Sequence, residues 1–500
     1  MGAATDPELL TTSSVRALVI FRHLAPLILS FLRDRKRWLV AGAPLVRTQA
    51  FHLERAERMV SAIAVLGPSF VKLGQVFSSR SDLLPEPYVT VISKLTDQVP
   101  AVPTQVIEHE IERAFGRPVL DIFERFEAEP LAAASLGQVH RARYRGEEVV
   151  VKVLRPGVEE LVRKDMALAR PVLRWLDEHV PNPHLRNART VIEEFAARVP
   201  EEMDFVHEAE NARRIHENFR GNPRVVIPRV IPDLVRRRVL VLEYVEGTRV
   251  DRLSSAHGER PQDPRGVVSA VMELYLRMML VDGFFHADPH PGNVLVTPDG
   301  RVVVLDFGMV IPVTRELRWR LVTTIFAAIR RDAAGLVAGF EAIGMIDPGA
   351  DPEQVRGLAD RLLTLAYVEM PMRDRVELVT NEVMAALYDW PVRLTSEMVY
   401  FARTAALIEG LGVRYDENFN AITFASPIAI RMRREILASL GQPLPPEDVA
   451  TIVGAAVGHA AGVALRAGRE FVKRIGLALS NGETPKPREL PPAPTLLAGD

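Results

Sequence analysis

Two short apolar runs lie on either side of a turn in the middle of the chain. Residues 293–296 read Asn-Val-Leu-Val and residues 301–305 read Arg-Val-Val-Val-Leu, and the segment between them, Thr-Pro-Asp-Gly at 297–300, consists of strong turn formers. This pattern predicts a β-hairpin. Because Asn293 enters the first strand and Asp306 follows the second, we expect both side chains at the open end of the hairpin.

Further apolar runs predict a small β-rich part and a larger helical part. Residues 148–154 read Glu-Val-Val-Val-Lys-Val-Leu, a β-branched run that contains Lys152. Residues 239–247 form a second strand-like run that ends near Glu243. Between residues 316 and 434, long apolar runs with helical spacing predict an all-helical lobe.

Polar residues at a kinase-like spacing surround the predicted hairpin. Residues 286–293 read His-Ala-Asp-Pro-His-Pro-Gly-Asn and residues 306–308 read Asp-Phe-Gly, so Asp288 precedes Asn293 by five positions and Asp306 by eighteen. The catalytic loop and the metal-binding segment of protein kinases have this spacing. One carboxylate there orients the attacking hydroxyl or water, while a carboxylate and an amide hold Mg²⁺ on the nucleotide phosphates. A polar hairpin without a ligand is the alternative.

Lys152 needs a partner if it is buried in its valine-rich strand, because an uncompensated buried cation is costly. The α- and β-phosphates of a nucleotide, together with a glutamate on a helix, are the partners that a kinase fold supplies. From the strand alone, a lysine that protects a sheet edge from aggregation is an equally good interpretation.

An alanine-rich segment precedes this strand at the place where a kinase has its glycine-rich phosphate loop. Residues 131–140 read Leu-Ala-Ala-Ala-Ser-Leu-Gly-Gln-Val-His. Small side chains let main-chain amides approach phosphates, but the Cβ of alanine closes off positive φ, so we expect a restricted nucleotide geometry. The loop residues predicted to bind the nucleotide are Ala132, Ala133, Ala134, Ser135, Gly137 and Gln138.

The adenine edge is predicted to meet main-chain groups between Glu243 and Val245. An apolar strand ends there, and Gly247 frees the chain directly afterwards. An ordinary buried strand that ends in a turn explains this segment equally well.

With these motifs in order, the chain resembles the UbiB/AarF family of atypical kinase-like proteins, called the ADCK family in eukaryotes. Residues 69–75, Ser-Phe-Val-Lys-Leu-Gly-Gln, resemble the KxGQ motif of that family, and the alanine-rich segment resembles its loop. Residues 202–211 resemble its ExD motif with the glutamate helix that follows, and residues 283–293 resemble its catalytic loop. The likeness covers roughly residues 55–310 and extends to residues 400–410.

The resemblance implies an α+β, protein-kinase-like bilobal fold with a small β-rich N-lobe, a helical C-lobe, and a family-specific helical N-terminal extension and insert. It also implies ATP and Mg²⁺ as cofactors. It implies an ion pair of Lys152 with Glu208 in the nucleotide lobe. Asp288 is implied as the catalytic residue, and Asn293 and Asp306 as the metal ligands. The extension is implied to fold over the peptide site of an ordinary kinase, and the regulatory residues in or near it are Lys72, Gln75, Glu202 and Asp204.

Spacing alone favours another interpretation of Lys72, a lysine on a helix surface, and the resemblance reverses that preference.

Two departures from ordinary protein kinases bear on function. The 56 positions from Lys152 to Glu208 (208 − 152 = 56) leave room for an inserted helical segment. After Gly308 the sequence has no Ala-Pro-Glu and no long activation segment, which argues against a Ser/Thr protein kinase.

The expected domain organisation follows from these motifs and from the composition of the ends. The predicted units are an N-terminal helical, membrane-surface segment at 1–50, the KxGQ helical extension at 51–125, the N-lobe with its helical insert at 126–246, the C-lobe at 247–445, an Ala/Gly-rich helical segment at 446–481, and a disordered tail at 482–500.

Composition excludes several classes of function. The formal net charge of −2 provides no global attraction to nucleic acid, so no nucleic-acid partner is expected. The chain has no cysteine, which excludes disulfides and thiolate zinc sites and fits a reducing, cytoplasmic compartment. His286 and His290 are close enough to invite a metal interpretation, but a role in shaping the catalytic loop is favoured.

Both ends of the chain carry features that fit a membrane surface. The apolar run at 24–32 is too short to span a bilayer, and basic residues and a tryptophan follow it at 33–38. Residues 449–465 are rich in alanine and valine, with a glycine at every fourth position from Gly454 to Gly462, which permits close helix contact. Peripheral association with an inner membrane face and a homodimer are therefore expected, and helices docked on a soluble core are the alternative.

The leading functional hypothesis is a Mg·ATP-dependent atypical kinase or ATPase. The resemblance implies a role in isoprenoid quinone biosynthesis or lipid homeostasis, with a lipid or quinone precursor as ligand. The second hypothesis is a nucleotide-gated scaffold or lipid chaperone that does not transfer phosphate. A small-molecule phosphotransferase of the aminoglycoside-kinase type is the third, and the KxGQ-like segment argues against it.

Overall fold

The computed structural model describes residues 13–35, 48–78, 87–93, 100–179, 183–253, 263–346, 349–367, 395–416 and 419–441. The chain divides into two compact units, residues 1–424 and residues 425–500. The predictions for residues 446–481 and for the tail lie outside the described residues, as do those for Lys36, Arg37 and Trp38.

Among the described residues up to position 93 there are four helices, of which the first belongs to the predicted segment at 1–50 and the next three to the predicted extension at 51–125. Thr48 caps the second of them by accepting a hydrogen bond from the amide of Phe51. Gly67, at φ 89°, ends that helix, and Pro68 opens the next. The last three helices bury a small apolar cluster between them, which includes Ile63 and Tyr88. The helices are α1 (Ser13–Arg35), α2 (Gln49–Leu66), α3 (Pro68–Ser78) and α4 (Tyr88–Ser93).

An antiparallel sheet forms the centre of the N-lobe. Its strand order is β1 (Arg125–Ala133), β2 (Gly137–Tyr144), β3 (Glu147–Leu154) and β5 (Val239–Glu243). Alternation along β3 separates its two faces: Val151 and Val153 are buried in the core beside α5, whereas Lys152 lies on the opposite face. The elements from here to the hinge are α5 (Thr104–Phe115), α6 (Val119–Ile122), β1 (Arg125–Ala133), β2 (Gly137–Tyr144), β3 (Glu147–Leu154), α7 (Val158–His179), α8 (Pro183–Glu202), α9 (Phe205–Asn218), β4 (Val225–Val226), β5 (Val239–Glu243) and β6 (Thr248–Arg249).

Two helices, α7 and α8, fill the interval between Lys152 and the glutamate helix α9. The predicted helical insert is therefore confirmed. Both insert helices pack against α3, so the insert connects the extension to the N-lobe.

The predicted hairpin is also confirmed. Val294 pairs with Val304 in an antiparallel register, and the amide of Leu305 donates to the carbonyl of Asn293 at 2.8 Å. Helices dominate the rest of the C-lobe, as the apolar spacing predicted. The elements are α10 (Pro264–Arg277), β7 (Phe284–His286), β8 (Val294–Val296), β9 (Val302–Val304), β10 (Val310–Pro312), α11 (Arg315–Ile329), α12 (Ala333–Ile343), α13 (Pro352–Tyr367), α14 (Ser396–Tyr415) and α15 (Ala421–Leu440).

A buried ion pair ties α1 to the insert. Arg16 is 1% exposed and donates from Nε and Nη2 to the two carboxylate oxygens of Asp165 at 2.6 and 2.8 Å. Its Nη2 also donates to the carbonyl of Leu66 at the end of α2, at 2.7 Å. Bidentate geometry and a capped helix end offset the cost of removing both charges from water.

Replacing Asp165 by Asn should destabilise the protein, because it leaves the Arg16 guanidinium buried without a counter-charge. We expect a loss of about 3–5 kcal/mol in the free energy of unfolding, measured from urea titrations followed by circular dichroism. The matched control is Glu54→Gln, which removes the partner of Arg58 in an exposed pair at 3.9 Å and should leave the urea midpoint unchanged. Equal midpoints for Asp165→Asn and the wild type would show that α1 is not held by this pair.

Candidate active site

Lys152, Glu208 and Asp306 converge on one point although they come from three distant segments. The Nζ of Lys152 on β3 lies 2.5 Å from Oε1 of Glu208 on α9 and 3.6 Å from Oδ2 of Asp306 after β9. The contact between Lys152 and Glu208 is the ion pair that the resemblance implied, and the metal role implied for Asp306 stays a prediction. The partners that the burial of Lys152 required are thus two carboxylates.

The Asp-Phe-Gly segment is held by its main chain. The amide of Phe307 donates to Oε1 of Glu208 at 3.2 Å, and the Phe307 carbonyl accepts from Asn211, one helical turn further along α9, at 3.0 Å. Asp306 itself has a φ of 60°, which a short polar side chain tolerates, and its Oδ1 accepts from the amide of Gly308 at 3.1 Å. Its carboxylate is therefore fixed in direction before any ligand binds.

The charges around Asp306 favour its ionised form. Although burial alone would raise its pKa, the Lys152 and Lys72 ammonium groups and the amide of Gly308 lower the pKa of Asp306 to about 2. Conversely, burial opposes the charge on Lys152, but Asp306 and Glu208 together raise the pKa of Lys152 above its ordinary range. Both groups therefore stay charged at neutral pH.

Asp288 and Asn293 face each other within the catalytic loop. The Nδ2 of Asn293 donates to Oδ2 of Asp288 at 3.0 Å, and Nη2 of Arg403 from α14 lies 3.5 Å from Oδ1 of the same carboxylate. His286 is fully buried and bonds through Nε2 to the carbonyl of Asp306 at 2.6 Å. The Nδ1 of His290 accepts from the amide of Gly292 at 3.1 Å. The favoured role of both histidines in shaping the loop is confirmed.

The donor set fits a Mg²⁺ ion bound together with phosphates. Asn293 uses its amide nitrogen within the loop, and no hydrogen bond to its Oδ1 occurs in the part of the chain that the structure describes. Asp306 adds a carboxylate that is ionised and 46% exposed. The described residues contain no cluster of three or more His, Cys, Asp or Glu suited to a metal. Asn293 and Asp306 would be the protein ligands of this Mg²⁺, which takes one or two such ligands and completes its shell with phosphates and water.

The extension reaches the same site through Lys72. Its Nζ lies 2.6 Å from Oε2 of Glu202, and both side chains are largely buried. Burial opposes the charge, but Glu202, Asp288 and Asp306 raise the pKa of Lys72 above its ordinary range. The cation therefore belongs to the electrostatic field of the catalytic carboxylates, and the helix-surface interpretation of Lys72 is wrong.

The other two residues associated with the extension have different positions. Gln75 is half-buried on α3, the helix that carries Lys72. Asp204 caps α9 by accepting from the amide of Val206 at 3.0 Å, so the contact that the structure gives it is helix capping rather than pairing with the extension.

The alanine-rich loop is a tight turn between β1 and β2. Ala132 and Ala133 belong to β1, and the amide of Ala134 donates to the carbonyl of Gly137 at 2.9 Å, while Ser135 is buried inside the turn. A Cβ on Gly137 would lie 3.0 Å from the carbonyl oxygen of Val153, which explains the one glycine of the loop.

Gln138 is held in place by its side chain. Its side chain is fully buried, and it accepts from the amide of Val102 at 2.8 Å and donates to the carbonyl of the same residue at 3.2 Å. The side chain therefore joins the loop to Val102, which belongs to the extension as predicted at 51–125, and is not available to a nucleotide. The loop prediction concerned main-chain amides, so a nucleotide contact of the Gln138 amide stays a prediction.

Arg155 was also missed, and it acts at the same place. It is buried and donates to the carbonyls of Ala134 and Pro100, each at 2.9 Å. Desolvation lowers the pKa of Arg155 to about 10. The only signal in the sequence was the position of this arginine, three residues after Lys152 and directly before Pro-Gly.

The hinge lies where the strand pattern put it, since β5 ends at Glu243. The amide of Glu243 donates to the carbonyl of Arg229 at 2.8 Å, so this amide is already used within the protein. Val245 is half-buried in the following extended segment. An adenine contact through main-chain groups at 243–245 stays a prediction.

Comparison with known sequences agrees with this geometry. The sequence model of the ABC1 atypical kinase-like domain matches residues 94–339. A Synechocystis protein, sll1770, is 32% identical over 424 residues, covering 83% of this chain and 72% of its own length. The chain belongs to the ABC1 atypical kinase-like family. The expected resemblance to kinase-like proteins of the UbiB type is confirmed.

Plant members of the ABC1 family are similar over most of this chain. ACTIVITY OF BC1 COMPLEX KINASE 7, a chloroplastic protein of Arabidopsis thaliana, is 32% identical, covering 84% of this chain and 60% of its own. ACTIVITY OF BC1 COMPLEX KINASE 3 is 34% identical, covering 75% and 53%. The chain thus spans a little over half the length of these two relatives.

Among solved structures, the ABC1-family chain is similar in fold to Rv3197 of Mycobacterium tuberculosis, determined in complex with erythromycin. The TM-score is 0.52 at 23% identity, covering 79% of this chain and 98% of that one. The kinase-like α+β fold class is confirmed, and at this identity the likeness concerns the fold alone.

The pKa of Asp306 predicts how stability depends on pH in the absence of divalent cations. The unfolded carboxyl titrates near 3.8 and the folded one near 2, so its stabilising effect is complete above pH 3.8 and is lost as the pH falls from there towards 2. Asp306→Asn should therefore lower the melting temperature at pH 6 by about 2 °C. The difference from the wild type should shrink by pH 3, in thermal scans with EDTA. A constant difference across this range would contradict the charge assignment.

Proposed function

We propose that this protein is a Mg·ATP-dependent phosphotransferase or ATPase of the atypical kinase type. The observation that carries the proposal is the convergence of Lys152, Glu208 and Asp306 on one point, beside the pair formed by Asp288 and Asn293. This arrangement provides a cation for the α- and β-phosphates, two metal ligands and a carboxylate for the acceptor, which phosphoryl transfer requires.

Each side chain has a role that follows from its position. Lys152 binds the non-transferred phosphates and is oriented by Glu208. Asn293 and Asp306 hold Mg²⁺, which when bound neutralises charge that develops on the phosphate oxygens. Asp288 accepts a hydrogen bond from the attacking hydroxyl or water and takes its proton as the new bond to phosphorus forms and the bond to ADP breaks.

A nucleotide-gated scaffold or lipid chaperone is the second candidate. The specific observation in its favour is Lys72, whose ammonium lies in the field of Asp288 and Asp306 although it belongs to the extension. A cation held there competes electrostatically with Mg²⁺ for the carboxylates. In that case nucleotide binding moves the extension, and phosphoryl transfer is not needed.

Substitution of two acids separates these functions. Asp306→Asn should weaken Mg·ADP binding at least about 10-fold in calorimetric titrations, because it removes the charged metal ligand. Asp288→Asn should leave nucleotide affinity within about 2-fold but lower phosphate release from ATP about 100-fold or more. The control is Asp299→Asn in the turn of the same hairpin, whose carboxylate bonds to Thr297 and Arg301.

The outcomes distinguish the candidates. Unchanged phosphate release in Asp288→Asn, with Mg·ADP binding intact, would favour the gated scaffold over the enzyme. If the wild type does not bind Mg·ADP, both the enzyme and the nucleotide-gated scaffold are ruled out. Transfer to a soluble small molecule in place of water or lipid would support the phosphotransferase alternative.

The site of action we propose is the inner face of a membrane, with a lipid or quinone precursor as ligand. Support comes from α1, where apolar side chains face solvent at helical spacing, including Leu18 at 66% and Phe21 at 69% exposure. Basic residues follow this helix in the sequence, which suits an anionic lipid surface. Among the described helices none has the length and apolar character to cross a bilayer. A peripheral mode of binding, and a homodimer through residues 449–465, therefore stay proposals.

The exposed face of α1 should contribute to membrane binding. Replacing Leu18 and Phe21 together by Ser should lower the fraction that co-sediments with vesicles containing anionic lipid by about 5-fold or more. The control is Val172→Ser, which removes an exposed apolar side chain of α7. Equal co-sedimentation of the double variant and the wild type would contradict a role for α1.

A further inference from the structure

The carboxylate of Asp288 is held from both sides. Asn293 donates to Oδ2 at 3.0 Å from within the catalytic loop, and Arg403 approaches Oδ1 at 3.5 Å from α14. The terminal torsion of an aspartate is broad and roughly two-fold, so a single hydrogen bond leaves the carboxylate plane free to rotate. A hydrogen bond on one oxygen and a guanidinium beside the other restrict that rotation.

The position of Arg403 is set by its neighbours on α14. Phe401 packs edge-on against Phe285 of β7, with ring centroids 4.8 Å apart, and β7 leads directly into the catalytic loop. Thr404 is buried and bonds through Oγ1 to the carbonyl of Tyr400 at 3.1 Å. The helix therefore presents Arg403 to Asp288 from a packed surface, 115 positions away in the sequence (403 − 288 = 115).

The remaining contacts of this region do not explain why an arginine is present. Within the part of the chain that the structure describes, Asp288 is the one acid in ion-pair contact with Arg403, and both side chains are about one-third exposed. At that exposure an ion pair contributes little to stability. Orientation of the carboxylate at the reacting centre is a larger effect, because small misplacements of a catalytic group cost much of the rate.

We propose that Arg403 is a positioning residue for phosphoryl transfer, which holds the Asp288 carboxylate in the plane that receives the acceptor hydroxyl or water. The inference rests on the proposed function. Arg403 contacts Asp288, whereas the cation proposed for the nucleotide phosphates is Lys152, so we expect Arg403 to act through Asp288 and not on the nucleotide. Its loss should therefore change turnover and not nucleotide affinity.

The test compares Arg403 variants in the full-length chain by ATP hydrolysis and by Mg·ADP titration. Arg403→Gln should lower kcat about 10- to 100-fold while KM for ATP and Kd for Mg·ADP stay within about 2-fold. Arg403→Lys keeps the cation and should recover most of the rate. Arg414→Gln is the matched control, since it removes an arginine of the same helix that donates to the carbonyl of Asp251.

A double variant separates positioning from a general structural role. If Arg403 acts through Asp288, then Asp288→Asn with Arg403→Gln should be no slower than Asp288→Asn alone. Losses that multiply would overturn the inference, as would a raised Kd for Mg·ADP or an unchanged kcat in Arg403→Gln. Should Arg403→Gln fail to fold, Arg403→Met retains the aliphatic stem and takes its place.

The two proposals fail in different ways. An active Asp288→Asn variant would end the proposed enzymatic function together with this inference. If Asp288→Asn abolishes turnover while Arg403→Gln stays fully active, the proposed function stands and only this inference is wrong.

Discussion

The need to compensate a buried ammonium organises the candidate active site of this protein. Lys152 lies on the face of β3 opposite the valines that pack into the core, and 16% of its side chain is exposed. Its stability in that place depends on Glu208 and Asp306. Because these acids come from a helix and from the end of a hairpin, compensating one charge brings three elements together at the candidate active site.

The extension contains a second largely buried lysine, Lys72, whose charge is also compensated by a carboxylate. Lys72 is compensated by Glu202, at the end of the insert helix α8. The two lysines share one acid, since both lower the pKa of Asp306. A change at either cation therefore changes the field at Asp306, the proposed metal ligand, which gives the extension a direct electrostatic means of influencing the site.

The alanine-rich loop is coupled to the extension by neutral contacts. Gln138 pairs with the main chain of Val102, and Arg155 spans from Ala134 to Pro100. Buried polar groups of this kind are costly to leave unpaired, so the loop and the segment at 100–102 are expected to move together. The conformation of the loop is thus restricted both by its alanines and by its hydrogen bonds to Val102 and, through Arg155, to Pro100.

The sequence by itself determined the local elements: the hairpin that carries Asn293 and Asp306, the valine strand of Lys152, the helical insert and the helical C-lobe. Each follows from periodicity and turn chemistry over a few residues. Only the tertiary structure decided that Glu202 is the acid in contact with Lys72, because the two are 130 positions apart (202 − 72 = 130) and no local pattern encodes their contact. The same holds for Gln138, which looked like a phosphate-loop residue and packs on Val102, and for Arg403, an ordinary helical arginine until α14 packs beside β7.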